Sequence, residues 1–220
     1  MKNTQYAVIG LGRFGSSLAE ELLKLGYEVL GIDVDEEAVE EMSDKLTHVV
    51  VADSTEEEVI RSLGIRNFDC VVVAIGNDIQ ANILTAILLK DIGVKTVVAK
   101  ALSELHGKVL NKIGVDRVIY PERDMGIRVA HQLVSPNLLD YIELSNDYTI
   151  AELAVPKRLA GRTLKELDPR ARYGCSVVAI NRKNGVIIAP TAEDTFEERD
   201  VMVVIGTNEQ IETFENEVIR

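Results

Sequence analysis

The chain has 220 residues, enough for one large domain or for a medium domain followed by a small one. A net charge of -12 and a sequence pI near 4.8 argue against nucleic acid as a main partner, because phosphate binding needs a basic surface. Two cysteines, Cys70 and Cys175, each in an apolar run, read as buried free thiols of a reducing cytosol, and without a CxxC pair or a Cys/His cluster nothing points to a structural metal.

Met1-Lys2-Asn3-Thr4-Gln5 runs straight into an apolar segment, so no signal peptide is expected, and no apolar stretch approaches the ~20 residues that span a bilayer. The first strand is expected at 6–10 and ends in Gly10-Leu11-Gly12-Arg13-Phe14-Gly15, with a helix over 14–25. A second strand at 28–32 ends at Asp33. A GxGxxG framed by strand, helix and strand, with an acid about twenty residues on, is a nucleotide-binding signature. Gly10 allows the tight turn, Gly12 lets backbone approach a diphosphate, and Gly15 lets the helix pack against the strands. The amides at the helix N-terminus favour an anion, and Asp33 can accept hydrogen bonds from both hydroxyls of an adenosine ribose. Arg13 adds a forked donor inside the loop; it suits a third phosphate or a neighbouring subunit's nucleotide, and otherwise is a solvated loop residue.

The alternation continues with helix 35–45, strand 47–52, helix 55–63, strand 70–75, helix 78–91, strand 95–100, helix 104–113, strand 117–120 and helix 122–134. Ser54-Thr55-Glu56-Glu57 is the clearest helix cap, and Gly26, Gly64, Gly93 and Gly114 stand where helices should end. The strands are nearly uninterrupted Val, Ile and Ala, as parallel strands buried on both faces require. Six β/α units predict a doubly wound, parallel, Rossmann-like α/β sheet over 1–134, with the nucleotide across its switch point.

The rhythm then changes. Ser135-Pro136-Asn137 interrupts the helix, and 135–145 reads as a connector whose Leu138 to Leu144 is apolar. Residues 146–220 read as a second, smaller α+β domain, with strands near 149–155, 176–181, 186–189 and 201–205, a hairpin turn at Lys183-Asn184-Gly185, and short helices at 163–167 and 208–217. Its ~75 residues lie near the lower size for independent stability, which oligomerisation would help.

Catalytic groups are missing from this pattern. His48 opens a strand, while His106 and His131 fall on expected helices and read as surface or packing residues. There is no Tyr-x-x-x-Lys pair, His-Asp constellation or nucleophile elbow. The chain reads as a non-enzymatic sensor or regulator.

Together the motifs resemble the nucleotide-binding regulatory subunits of bacterial Ktr-type potassium uptake systems, whose domains are called RCK or KTN. The resemblance spans the whole chain. It is carried by Ala7-Val8-Ile9-Gly10-Leu11-Gly12-Arg13-Phe14-Gly15, Ala52-Asp53-Ser54-Thr55, Leu63-Gly64-Ile65-Arg66-Asn67-Phe68-Asp69, Val73-Ala74-Ile75-Gly76, Lys112-Ile113-Gly114-Val115-Asp116 and Tyr120-Pro121-Glu122-Arg123-Asp124-Met125. Ala171-Arg172-Tyr173-Gly174-Cys175 and Val178-Ala179-Ile180 add to it in the second domain. The resemblance implies a homo-oligomer of dimers, an octameric cytosolic ring, on the inner face of the cell membrane through a membrane-embedded potassium channel subunit. ATP and ADP would reshape the ring and gate the channel, with NAD(H) sharing the cleft and cyclic di-AMP binding the C-terminal subdomain.

Carried over by position, Gly10, Gly12 and Gly15 would hold the diphosphate and Asp33 the ribose. Phe14, Asp53, Ser54, Ile75 and Gly76 would lie beside the nucleotide. Arg13 would reach a terminal phosphate and Lys100 would face the cleft. Glu122 matches an acid implicated in binding Mg²⁺ or Ca²⁺ where subunits meet; from spacing alone it is an ordinary first-turn acid after Pro121. For cyclic di-AMP the candidates are Val178, Ile180, Asn181, Arg182, Ile187, Ala189 and Pro190 on the expected hairpin, which otherwise read as small-domain core and a solvated tip. Two other readings remain: an NAD-dependent oxidoreductase, where Asp33 favours NAD over NADP, and a soluble redox sensor.

Overall fold

Each strand of the first half places alternate residues on opposite faces, so a strand covered by helices on both sides must be apolar throughout. β1 (Gln5–Ile9) shows this: Ala7 and Ile9 enter one core and Val8 the other, and all three are buried. In this computed structural model, which describes residues 4–135, 137–145 and 147–219, the contacts divide the chain between Arg123 and Asp124 into two units. Met1, Lys2, Asn3, Pro136 and the expectations that fall on them lie outside the described residues.

In the first unit β1 is followed by α1 (Arg13–Lys24), β2 (Glu28–Asp33), α2 (Glu36–Ser43), β3 (His48–Val51), α3 (Glu57–Ser62), β4 (Cys70–Val73), α4 (Ile79–Asp91), β5 (Val97–Lys100), α5 (Glu104–Ile113), β6 (Arg117–Ile119) and the start of α6 (Pro121–Val134). The strands form one parallel sheet in the order β3-β2-β1-β4-β5-β6. The order reverses between β1 and β4, which opens a crevice at their C-terminal ends. The expected doubly wound α/β sheet is therefore present.

The second unit holds β7 (Leu138–Glu143), β8 (Tyr148–Ala154), α7 (Leu164–Leu167), α8 (Pro169–Tyr173), β9 (Ser176–Arg182), β10 (Gly185–Ile188), β11 (Val201–Thr207) and α9 (Asn208–Phe214), whose last turn widens to a π-helix over Glu215–Ile219. Its five strands are antiparallel in the order β10-β9-β11-β8-β7. Here one face packs and the other is more open, so β8 alternates: Thr149, Ala151 and Leu153 point inward. Phe196, Met202, Val204 and Phe214 complete this core, with Tyr173 edge-on to Phe214 at 5.3 Å between ring centroids. The hairpin turn expected at Lys183-Asn184-Gly185 is present as a two-residue turn, Lys183 and Asn184, with Gly185 opening β10 opposite Arg182.

The structure adds the short helix α8 to the elements expected, and four further departures from the sequence reading bear on the fold and the site. The stretch 135–145 contains β7, an edge strand on β8, because Leu138–Glu143 lacks the clean alternation that marks a half-buried strand. The division into units falls within α6, because this helix buries none of its residues and Arg128 and Gln132 bond to Asp140 and to the Leu139 carbonyl of β7. Ser54 does not cap α3; its hydroxyl is buried against Thr85, and the turn before the helix is made by the Asp53 carboxylate, which accepts from the amide and hydroxyl of Thr55 at 2.9 and 2.6 Å. Cys175 is buried as expected, but Cys70, at the first position of β4, is only half-buried.

Candidate functional site

The phosphate loop is closed by backbone sterics. Gly10 has φ +97 and donates its amide to the Ile32 carbonyl at 2.8 Å. A Cβ on Gly10 would stand 2.8 Å from the Ile75 amide nitrogen, so the backbone that follows β4 leaves no room for one. At Gly15 a Cβ would overlap the Gly10 carbonyl, which is how α1 starts directly against the loop. Gly12 is different: its backbone is ordinary and extended (φ -66, ψ -174), and a Cβ would meet nothing within 4 Å. It opens α1 with no side-chain cap and no acid in the first turn. The first-turn amides receive no side-chain cap and carry positive dipole character, which fits a diphosphate.

Asp33, at the end of β2, is drawn to this loop. One carboxylate oxygen accepts the Leu11 amide at 2.5 Å and the other the Asp35 amide at 3.0 Å. The two bonds fix the carboxylate beside the loop, and each oxygen keeps a further acceptor position for a ribose hydroxyl.

Across the crevice, Gly76 lies just past the end of β4 and Lys100 is the last residue of β5. Lys100 is only 7% exposed, and its ammonium donates to Glu122 at 2.5 Å and lies 5.8 Å from the Phe14 ring centroid. This hydrogen bond holds the Glu122 carboxyl below the usual carboxylate range, with smaller help from the charges of Lys100 and Arg13. Arg13 itself is exposed. Beneath them, fully buried Asn82 of α4 donates to the carbonyls of Ile75 and Lys100 at 2.8 and 3.2 Å and so ties the ends of β4 and β5. No residue spacing announces that role; it exists only once the two strands are neighbours.

The loop, Phe14, Arg13, Asp33, Ile75, Gly76, Lys100 and Glu122 are thus brought to the C-terminal side of one sheet. Asp53 and Ser54 follow β3 on the same side: one carboxylate oxygen of Asp53, its pKa lowered by the Thr55 hydroxyl and amide, closes its own turn, and the Ser54 hydroxyl is 2.8 Å from that of Thr85. Glu122 stands with a cation, and among the described residues no group of three or more His, Cys, Asp or Glu is placed to hold a metal ion.

In the second unit the charged hairpin candidate, Arg182, is already paired. Arg182 donates to both oxygens of Asp200, at 3.1 and 2.8 Å, and to the Thr195 carbonyl, and it pairs with Glu197. Asp200 is 2% exposed and raises the Arg182 pKa further. Asn181 lies between β10 and β11, Ile180 is fully buried, Ile187 packs on the core, and Ala189 sits at φ +51 with its amide on the Val178 carbonyl. Pro190 follows, half-buried. An open cavity of ≈ 430 Å³ lies elsewhere in this unit, with Lys165, Arg170, Leu164, Pro169, Val177 and Ala192 among its walls.

Comparison with known proteins agrees with this geometry. The TrkA-N domain model matches residues 6–121 and the TrkA-C domain model residues 148–218. The chain is 48% identical over 215 residues to Ktr system potassium uptake protein C of Bacillus subtilis (strain 168), covering 98% of this chain and 97% of that one. It is 46% identical to Ktr system potassium uptake protein A of the same organism, covering 99% and 98%. Among solved structures, the GsuK channel bound to NAD is similar with a TM-score of 0.53 at 25% identity, covering all of this chain and 39% of that one. GsuK bound to ADP gives 0.51 at 25% identity, covering 60% and 34%. The chain spans well under half the length of those channel chains. It belongs to the RCK/KTN family, as a member of its Ktr-type potassium uptake proteins built from a TrkA-N and a TrkA-C domain.

Proposed function

We propose that the protein is a non-catalytic, nucleotide-binding subunit that regulates a membrane potassium transporter. The observation that carries this reading is the uncapped start of α1 at Gly12, open to solvent, with the Asp33 carboxylate fixed beside it. That is an adenine-nucleotide cradle in a chain nearly half identical to Ktr potassium uptake proteins. ATP and ADP are the ligands of choice, with NAD(H) an alternative occupant. Arg13, exposed at the mouth of the loop, supplies the extra cation that a third phosphate favours. Mg²⁺ or Ca²⁺ at Glu122 would need the ligand's phosphates or a second copy for its remaining oxygens, since one carboxylate supplies at most two.

No described helix is long and apolar enough to cross a membrane. The likeness to Ktr potassium uptake proteins supports a place at the cytoplasmic face through a channel subunit. Assembly into dimers and an octameric ring is supported by α6, which buries nothing and exposes Met125, Ile127 and Leu133. Cyclic di-AMP, if a ligand, suits the cavity at Lys165 and Arg170 better than the hairpin, because Arg182 is already neutralised by Asp200 and Glu197.

Calorimetry with ATP, ADP, NAD and NADH, with Mg²⁺ and Ca²⁺ varied, tests the reading. Binding of ATP and ADP, with ATP alone strengthened by the cation, is expected. Binding of NADH alone would move the assignment to a redox sensor or an oxidoreductase.

A further inference from the structure

The cleft contains a cation whose anion is supplied by the protein itself. Lys100 is 7% exposed, and Glu122 is the carboxylate on its ammonium. A Cβ on Gly76 would come within 3.2 Å of that ammonium, and Phe14 of the phosphate loop is its neighbour on another side. Glu122, by contrast, has a side chain 65% exposed, so it is held by this contact and not by burial. It also sits on the first turn of α6, the helix that begins in the first unit and continues into the second.

The geometry points to Glu122 as a latch: its carboxylate fills the anion position at Lys100, and the phosphate of a bound nucleotide displaces it and frees the first turn of α6. The inference rests on the nucleotide reading above and adds a regulatory step to it. A carboxylate and a phosphate repel each other at one ammonium, so the two compete. Release is inexpensive for Glu122, which is already largely hydrated, while Lys100 keeps an anion in both states. The ligand thereby favours the released state by its own affinity for Lys100, as any population shift requires. The first turn of α6 would then be less restrained when nucleotide is bound, at the point where the chain leaves the first unit.

The test is ADP binding by calorimetry in the presence of a chelator, for the wild type, E122Q, K100M and the double variant. E122Q is expected to bind ADP about tenfold more tightly, the factor for a latch open about one tenth of the time. K100M should bind more weakly, and adding E122Q to it should change little, because the latch has lost its partner. Hydrogen exchange gives an independent readout: ADP should speed exchange of the amides of 122–126 in the wild type, and E122Q should show that fast exchange without ligand. Equal ADP affinity for wild type and E122Q overturns the latch and leaves the nucleotide reading standing. The same gain in the K100M background also overturns it, since simple charge repulsion then suffices. No ADP binding by any variant refutes the nucleotide reading and the latch together.

Discussion

Gly12 and Gly15 are three residues apart in one loop, yet the structure assigns them separate tasks, and alanine at each position separates ligand binding from folding. At Gly15 the new methyl would overlap the Gly10 carbonyl and come within 3.3 Å of the Ala74 Cβ. The obstacle is backbone, so α1 must move away from β1. Overpacking of this kind costs about 1–3 kcal/mol, and here the upper end applies because no side chain can rotate away. Alanine in place of glycine returns up to about 1 kcal/mol of helix propensity, which leaves a net loss of about 2 kcal/mol. At Gly12 the methyl meets nothing and the dihedrals suit any residue. Alanine is a poorer N-cap than glycine, so Gly12→Ala should lose no more than about 1 kcal/mol. Its methyl would instead stand where a diphosphate approaches the amides, and ADP affinity should fall at least tenfold, about 1.4 kcal/mol. Urea unfolding and calorimetry on both variants make the comparison. Wild-type ADP affinity in Gly12→Ala, or a stability loss there as large as in Gly15→Ala, would refute the reasoning.

Asp200→Ala should be the most damaging polar substitution in the second unit, costing about 3 kcal/mol, because it leaves Arg182 and the Glu197 amide without their buried acceptor; an unfolding midpoint within error of wild type would contradict this. Cys70 should react with iodoacetamide in the native protein before Cys175, whose thiol burial pushes up to about 11; mass spectrometry showing Cys175 labelled first would reverse that order. His106 is buried, accepts the Leu102 amide on Nδ1 and has its pKa lowered by burial from 6.5. The unfolded chain therefore binds the proton first, so this contribution is complete above pH 6.5 and is lost as pH falls through the lowered folded value, by at most about 1.4 kcal/mol per pH unit. His106→Gln should flatten this part of the stability profile between pH 7 and 5, and identical slopes for the two proteins would remove His106 as its source.

The phosphate loop and the doubly wound sheet were legible in the sequence because both are local. Gly10 to Gly15 is one contiguous turn whose steric demands only glycine meets, and the continuous apolar strands can be satisfied only between two helical layers. Helix ends were legible for the same reason, since Gly26, Gly64, Gly93 and Gly114 all adopt positive φ. Strand β7 was not, because at a sheet edge neither face is fully covered and its pattern of burial is irregular.

Which polar groups remain available for a ligand was decided by tertiary structure alone. Ser54 looked like a cap until α4 brought Thr85 to it, Arg182 looked like a cyclic di-AMP contact until the chain returned with Asp200, and Glu122 looked like a first-turn acid or a cation ligand until β5 placed Lys100 against it. Each pair joins residues 18 to 31 positions apart. Sequence by itself fixes the backbone amides that can meet a phosphate, because steric limits act between neighbours along the chain. The partner of a charged or hydroxyl side chain depends on which strand ends and helices become neighbours in the sheet, and that is a property of the packed fold.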